Sequence, residues 1–274
     1  MKGKIVLITG ATSGIGKATA AELARRGAAI VFTTRDEGRG AAAREEIIRE
    51  SGGGSVESIH CDLSSFDSIR SCCASFAARY PALHVLINNA GVWDFTRRLS
   101  RDGIENIFAV NYLAPFLMTN LLLDTLKKSA PSRIVNVGSG LHGGTINFDD
   151  IEFSGSFSAV KAYRQSKLAI LLFTRLLALK LEGTGVTVNA VHPGFVSTNL
   201  GRDAGTVSGA FFRFFGKSPE KGARTTVYAA ASPDLDAVSG EYCAGSRIAR
   251  SSRNSHDLGM ARRLWDLSLK YTGL

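Results

Sequence analysis

The chain has 274 residues, 45% of them hydrophobic and 21% charged, which suits one large α/β domain with a full core. The net charge of +9 comes from basic residues scattered among acidic ones. No aromatic-interleaved basic stripe is present, so a nucleic-acid partner is not expected, and part of the excess is free to serve an anionic cofactor or substrate. Cys61, Cys72, Cys73 and Cys243 follow no metal-ligand spacing, so no metal and a reduced compartment are expected.

After Met1-Lys2-Gly3-Lys4 the chain enters an apolar run at once. No later run reaches about 18 apolar residues, so a cytoplasmic protein without a transmembrane span is expected. Ile5 to Thr9 reads as a buried parallel strand, followed by a helix from Lys17 to Arg26 that Gly27 closes. Strands over Ala28–Thr34, Val56–His60 and Val85–Asn88 alternate with helices over Gly40–Glu50 and Phe66–Tyr80. A long helical region from Gly103 to Lys128 should bend or break at Pro115. Arg133–Val137 and Val186–Val191 read as strands around a helix from about Tyr163 to Leu181. A helix over Pro219–Ala231, a short strand near Tyr242 and a last helix over Asp257–Tyr271 complete the pattern. Repeated βαβ units imply a doubly wound, Rossmann-type parallel sheet of about seven strands with helices on both faces. The expected organisation is one domain over 1–274, with a substrate-covering segment near 197–218 and a C-terminal extension over 245–274.

Ligands on such sheets lie at the carboxyl ends of the strands, so those residues carry the functional reading. The first strand ends in Gly10-Ala11-Thr12-Ser13-Gly14-Ile15-Gly16, a Gly-x-x-x-Gly-x-Gly turn opening a helix. Its glycines allow close backbone approach to a phosphate, and the helix terminus offers free N–H groups. The second strand ends Thr33-Thr34-Arg35 without an acid at its tip. Arg35 is suited to a bidentate contact with a 2′-phosphate and Thr34 to a further donor, so NADP(H) is expected over NAD(H). An Arg35 paired with Asp36 or Glu37 is the competing reading. Asp62 and Leu63 after the third strand suit an adenine contact, although Asp62 would equally serve as a helix cap. Asn89, Ala90 and Gly91 after the fourth fit a tight turn beside a ribose.

Tyr163-x-x-x-Lys167 sets a phenol and an ammonium one helical turn apart on one face. A phenol ionises near pH ~10, and a neighbouring cation draws that value toward the working pH. Such a pair suits proton exchange at an alcohol or carbonyl oxygen.

Together with Asn111, Ser139 and Pro193-Gly194, these motifs occur in an order that resembles the short-chain dehydrogenase/reductase family from Lys4 to about Tyr242. Val110-Asn111-Tyr112-Leu113, Ser166-Lys167-Leu168-Ala169 and the tail's Arg263-Leu264-Trp265 look like its retinol dehydrogenase-like branch. The resemblance implies that Tyr163 is the proton donor and acceptor, and that Lys167 lowers its pKa and holds the nicotinamide ribose. It implies that Ser139 bonds the reacting oxygen, that Asn111 shapes its helix and holds a water relay, and that Pro193, Val196 and Thr198 pack beside the nicotinamide. The implied reaction is NADP(H)-linked interconversion of a hydrophobic aldehyde or ketone and its alcohol. Reduction of a conjugated C=C bond, or cofactor binding without turnover, are the alternatives. Gly138 stands where many members carry a serine. The 24-residue separation of Ser139 and Tyr163 is longer than in many members and should frame the substrate pocket, with His142 and Phe153 as candidate lining residues. No necessary task falls to His142. The Phe-rich stretch over 207–216 reads as lid, core or peripheral membrane contact, and a homodimer or homotetramer is left open.

Overall fold

The computed structural model describes residues 1–194 and 218–274. Val196, Thr198, the Phe-rich stretch and nearly all of the segment over 197–218 lie outside the described residues. Among those described, seven strands form one sheet in the order β3-β2-β1-β4-β5-β6-β7, every neighbouring pair parallel. They are β1 (Ile5–Ile8), β2 (Ala29–Thr34), β3 (Val56–His60), β4 (Val85–Asn88), β5 (Ser132–Val137), β6 (Val186–His192) and β7 (Tyr242–Ala244). The doubly wound parallel sheet expected from the βαβ pattern is therefore present. Strand order reverses between β1 and β4, which opens a crevice at their carboxyl ends.

Side chains alternate across the sheet and build a core on each face. Val6, Ile8, Ile30, Phe32, Ile87 and Val135 pack toward one face. That face is covered by α1 (Gly14–Arg25), α2 (Glu37–Ser51) and α8 (Pro219–Ala231). Leu7, Val31, Leu86, Ile134 and Val188 pack toward the other. There lie α3 (Phe66–Arg79), α5 (Ala114–Leu121), α7 (Ala159–Lys180) and α9 (Leu258–Thr272).

Several helices start earlier than the sequence expectation. The first helix begins at Gly14, inside the glycine turn. Asp36 caps α2 by accepting from the Arg39 N–H, and Ser158 caps α7 by accepting from the Lys161 N–H. The long helical region expected over 103–128, with a bend or break at Pro115, is a series of pieces. Glu105 starts the short α4 (Asn106–Phe108) by accepting from the N–H groups of Ile107 and Phe108. A π-helical segment over Ala109–Leu113 follows, then α5 and α6 (Leu123–Lys128). Pro115 has no N–H for the Asn111 carbonyl four residues earlier, so the α-helical ladder cannot continue through this point.

The last helix closes the second core. Its Trp265 meets Phe116 and Phe173 with ring centroids at 4.9 and 5.9 Å, and Ser268 Oγ bonds the buried Tyr112 hydroxyl at 2.7 Å. Leu264, 1% exposed, is part of the same cluster. Truncating it leaves a cavity beneath α9, so Leu264→Ala should cost about 3 kcal/mol and lower the thermal midpoint by about 6–10 °C. A midpoint within one or two degrees of the parent would show that α9 contributes little to the core.

Candidate functional site

The turn after β1 is packed against the turn after β4. A Cβ on Gly16 would sit 2.4 Å from the Gly10 carbonyl oxygen and 2.5 Å from Asn89 Nδ2, and one on Gly10 would sit 2.8 Å from Ala90 Cα. Gly10 and Gly14 adopt φ of 69° and 57°, a region that favours glycine. Thr9 Oγ1 accepts the N–H groups of Asn89 and Ala90, each at 3.0 Å, and Asn89 Nδ2 donates to the carbonyls of Thr9 and Gly10. The Asn89 amide is thus spent on holding the turn.

This cradle fits a dinucleotide. The α1 terminus carries no acidic residue in its first turn, and the Ser13 hydroxyl makes no capping bond, which leaves it available beside Thr12 and Ile15. Arg35 is exposed, and among the described residues no ion pair engages it. The pairing of Arg35 with Asp36 is not seen because Asp36 caps α2. Two expectations need correction. Thr34 Oγ1 donates to the Asp36 carbonyl at 2.7 Å, so its donor is not free for a phosphate. Asp62 does not cap α3, a role that Ser65 fills. Its Oδ1 accepts the Ser64 N–H and hydroxyl, and its Oδ2 pairs with Arg101 Nε at 2.8 Å, so any adenine contact must share an occupied oxygen. Leu63 lies partly buried beside it, and Pro193 and Gly194 follow β6 at the same edge.

Tyr163, Lys167, Asn111 and Ser139 come together at the carboxyl ends of β4 and β5. Lys167 is buried, and its Nζ donates to the Val137 carbonyl at 3.0 Å and lies 5.6 Å from the Tyr163 ring centroid. Desolvation pulls its pKa down to about 8. Burial pushes the Tyr163 phenol above its ordinary value, opposed by a hydrogen bond with the Ser139 side chain. The expectation that Lys167 draws the phenol down is therefore not met in the protein by itself. Both groups are desolvated together, and Ser139 is the partner that favours the phenolate.

Asn111 sits in the π-helical segment and is fully engaged. Its Oδ1 accepts the Val92 N–H at 2.7 Å, and its Nδ2 donates to the Val92 carbonyl and to Ser166 Oγ. Asn111 shapes its helix as expected, but its side-chain amide is committed and not free to hold a relay water.

Several residues around this centre were not singled out from sequence. The Trp93 ring lies over Tyr163 with centroids 4.4 Å apart. Together with Ile107, Phe153, Phe157 and Val92 it makes an apolar wall around the phenol. Phe153 was expected there, and it holds a φ of 52°. The insertion carrying it is pinned by Gln165, which accepts from the Asn147 N–H and donates to the Ile151 carbonyl. Glu105, 1% exposed, has its carboxyl raised to about 7 by burial, with the Ile107 and Phe108 N–H groups opposing the shift. Only its place before an apolar helical run signalled the cap. His142 is buried rather than a pocket-lining side chain, and bridges two segments of backbone.

A phenol, a hydroxyl and an ammonium gathered beside a phosphate cradle can move one proton at an oxygen while a dinucleotide lies alongside. The short chain dehydrogenase family matches residues 4–207. The chain is 45% identical to human retinol dehydrogenase 14 (Homo sapiens) over 298 residues, spanning 100% of this chain and 88% of that protein. It is 44% identical to human retinol dehydrogenase 13 over 282 residues, 99% of this chain and 85% of that protein. A solved, uncharacterized protein from Mycobacterium paratuberculosis superposes with a TM-score of 0.82 at 36% identity, covering 99% of this chain and 94% of the other. A blue fluorescent protein from a metagenomic library, solved in complex with NADPH, gives a TM-score of 0.71 at 27% identity, covering 89% and 96%. The chain thus belongs to the short-chain dehydrogenase/reductase family of oxidoreductases, in its retinol dehydrogenase-like branch.

Proposed function

We propose that the protein interconverts a hydrophobic aldehyde or ketone and its alcohol, with NADP(H) preferred over NAD(H), in the cytoplasm. The observation that carries this reading is the buried Tyr163 phenol close enough to Ser139 to feel its hydroxyl, with the Lys167 ammonium one helical turn along. The apolar wall of Trp93, Phe153 and Phe157 favours a hydrophobic substrate. The retinol dehydrogenases to which the chain is similar carry names that match this chemistry.

The dinucleotide, when bound, exchanges a hydride with the substrate carbon. The Gly10–Gly16 turn with Thr12, Ser13 and Ile15, the Ala90-Gly91 wall and Pro193 would hold it, and Arg35 would take its 2′-phosphate. During reduction Tyr163 gives its proton to the carbonyl oxygen, and in the reverse direction it takes one from the alcohol. Ser139 Oγ accepts the Leu141 N–H at 3.1 Å, and its single proton, directed at Tyr163 in the protein by itself, would turn to the reacting oxygen once substrate lies between them. The Lys167 ammonium keeps two further N–H groups beyond its bond to Val137 for the nicotinamide ribose.

A panel of all-trans-retinal, nonanal and cyclohexenone with NADPH, followed by loss of cofactor absorbance, tests the reaction class. Turnover of the aldehydes supports the proposal, turnover of the enone alone points to C=C reduction, and none at all to cofactor binding without chemistry. Tyr163→Phe should reduce turnover at least about 1,000-fold with NADPH affinity within twofold, and substantial remaining activity would overturn the role given to Tyr163. Arg35→Asp should reverse the cofactor preference, as read from kcat/KM with NADPH and NADH. A parent enzyme that already prefers NADH would sink the 2′-phosphate assignment.

Lys167→Met tests the cost of the buried charge. The folded-state value of about 8 lies below the ordinary 10.5, a displacement worth about 3 kcal/mol, from which about 1 kcal/mol is lost with the bond to Val137. The penalty is present in full below about pH 8 and fades as pH rises toward 10.5. The variant should therefore melt about 4 °C higher at pH 7, with less gain at pH 10, while turnover is lost. A lower midpoint at pH 7 would contradict this.

A further inference from the structure

We propose that His142 is a positioning residue for Ser139, holding the carbonyl of Ser139 so that its hydroxyl stays aimed at Tyr163. This rests on the role given to Ser139 above. His142 Nδ1 lies 2.7 Å from the Ser139 carbonyl oxygen, and the Ser252 backbone N–H meets Nε2 at 3.0 Å. A carbonyl only accepts and a backbone N–H only donates, so Nδ1 carries the proton and Nε2 is the acceptor. One tautomer satisfies both bonds, and the ring bridges the turn after β5 to the C-terminal extension.

Three further contacts hold the bridge. Ser252 Oγ donates to the His142 carbonyl at 3.0 Å, and Asn254 Nδ2 donates to the Gly144 carbonyl at 2.7 Å. The Tyr242 hydroxyl donates to the same Ser139 carbonyl at 3.3 Å, with its ring centroid 4.9 Å from that of His142. The turn itself is closed by the Leu141 N–H on Ser139 Oγ. Gly140 passes close to His192, where a Cβ would sit 3.2 Å from Nε2. Ser139 is thus gripped at its carbonyl by His142 from its own turn and by Tyr242 from β7, while its hydroxyl is left to Tyr163. Without the imidazole, the turn is free to rotate about Ser139 and the hydroxyl loses its aim.

The test compares Ser139→Ala, His142→Ala, the double variant, His142→Asn and His142→Gln. Each is assayed with NADPH and whichever of all-trans-retinal or nonanal the parent reduces faster, with NADPH affinity measured by fluorescence. Ser139→Ala should lower kcat at least about 100-fold. His142→Ala should lower it about 10-fold with NADPH affinity within twofold, and the double variant should be no slower than Ser139→Ala alone. Asn reproduces the Nδ1 donor and should restore most of kcat, whereas Gln reaches only toward Ser252 and should not. In alcohol oxidation with NADP⁺, the acidic limb of the His142→Ala profile should move to higher pH, because a misplaced Ser139 no longer favours the Tyr163 phenolate.

Parental kcat in His142→Ala, or losses that add in the double variant, would overturn the inference while leaving Ser139 in its role. Parental kcat in Ser139→Ala would overturn the proposed function instead. Where His142→Ala fails to bind NADPH, the Asn and Gln variants decide, and equal kcat in those two counts against positioning through Nδ1.

Discussion

A buried positive charge is the constraint around which this centre is organised. Lys167 is shielded on all sides and its ammonium rests on the Val137 carbonyl. Burial lowers its pKa to about 8, so it stays charged near neutral pH. The support comes from one face of α7. Tyr163, Ser166 and Lys167 lie at i, i+3 and i+4, so the helix that carries the phenol also carries the ammonium and the hydroxyl that fastens Asn111. Moving that helix would disturb all three together.

The floor beneath these residues is held by polar contacts inside an otherwise apolar core. Asn88 Nδ2 donates to Thr119 Oγ1 and to Asn136 Oδ1, and Asn136 Nδ2 donates to Thr174 Oγ1. This chain ties the ends of β4 and β5 to α5 and α7. Buried bonds of this kind cost much to break because each freed group would lack water. On the cradle side, Thr9 and Asn89 do the same for the glycine turn. The two halves of the cleft meet where Asn111 grips Val92, one residue beyond Gly91.

Much of this was legible before the fold was known, and the misses have physical causes. β3 and β4 and the helix over Pro219–Ala231 were read with their observed limits, because hydrophobic period and flanking breakers agree there. Over Gly103 to Lys128 the apolar pattern continues, so the sequence shows a helical region with one break at Pro115 and not the several pieces present. Neither the Glu105 cap nor the π-helical segment changes that pattern, although Pro115 marked the place. Thr34 and Asp62 suit ligand roles by residue type, whereas the Thr34 donor goes to the Asp36 carbonyl and both Asp62 oxygens already accept, from Ser64 and from Arg101. Residue type indicates what a side chain offers, and only the surrounding backbone decides whether it is still free.

The order of motifs along the chain was enough to determine the sheet, the family and the group of residues gathered at its edge. Each depends on local spacing: glycines at a turn, a phenol and an ammonium one helical turn apart, apolar residues at a strand's period. The tertiary structure decided the environment of those groups. Whether the phenol is raised or lowered depends on how deeply Tyr163 is buried and on Ser139, 24 residues away. Whether His142 has a task depends on Ser252, which lies 110 positions further along the chain. Desolvation and long-range hydrogen bonds arise from packing between distant segments, so no local pattern carries them.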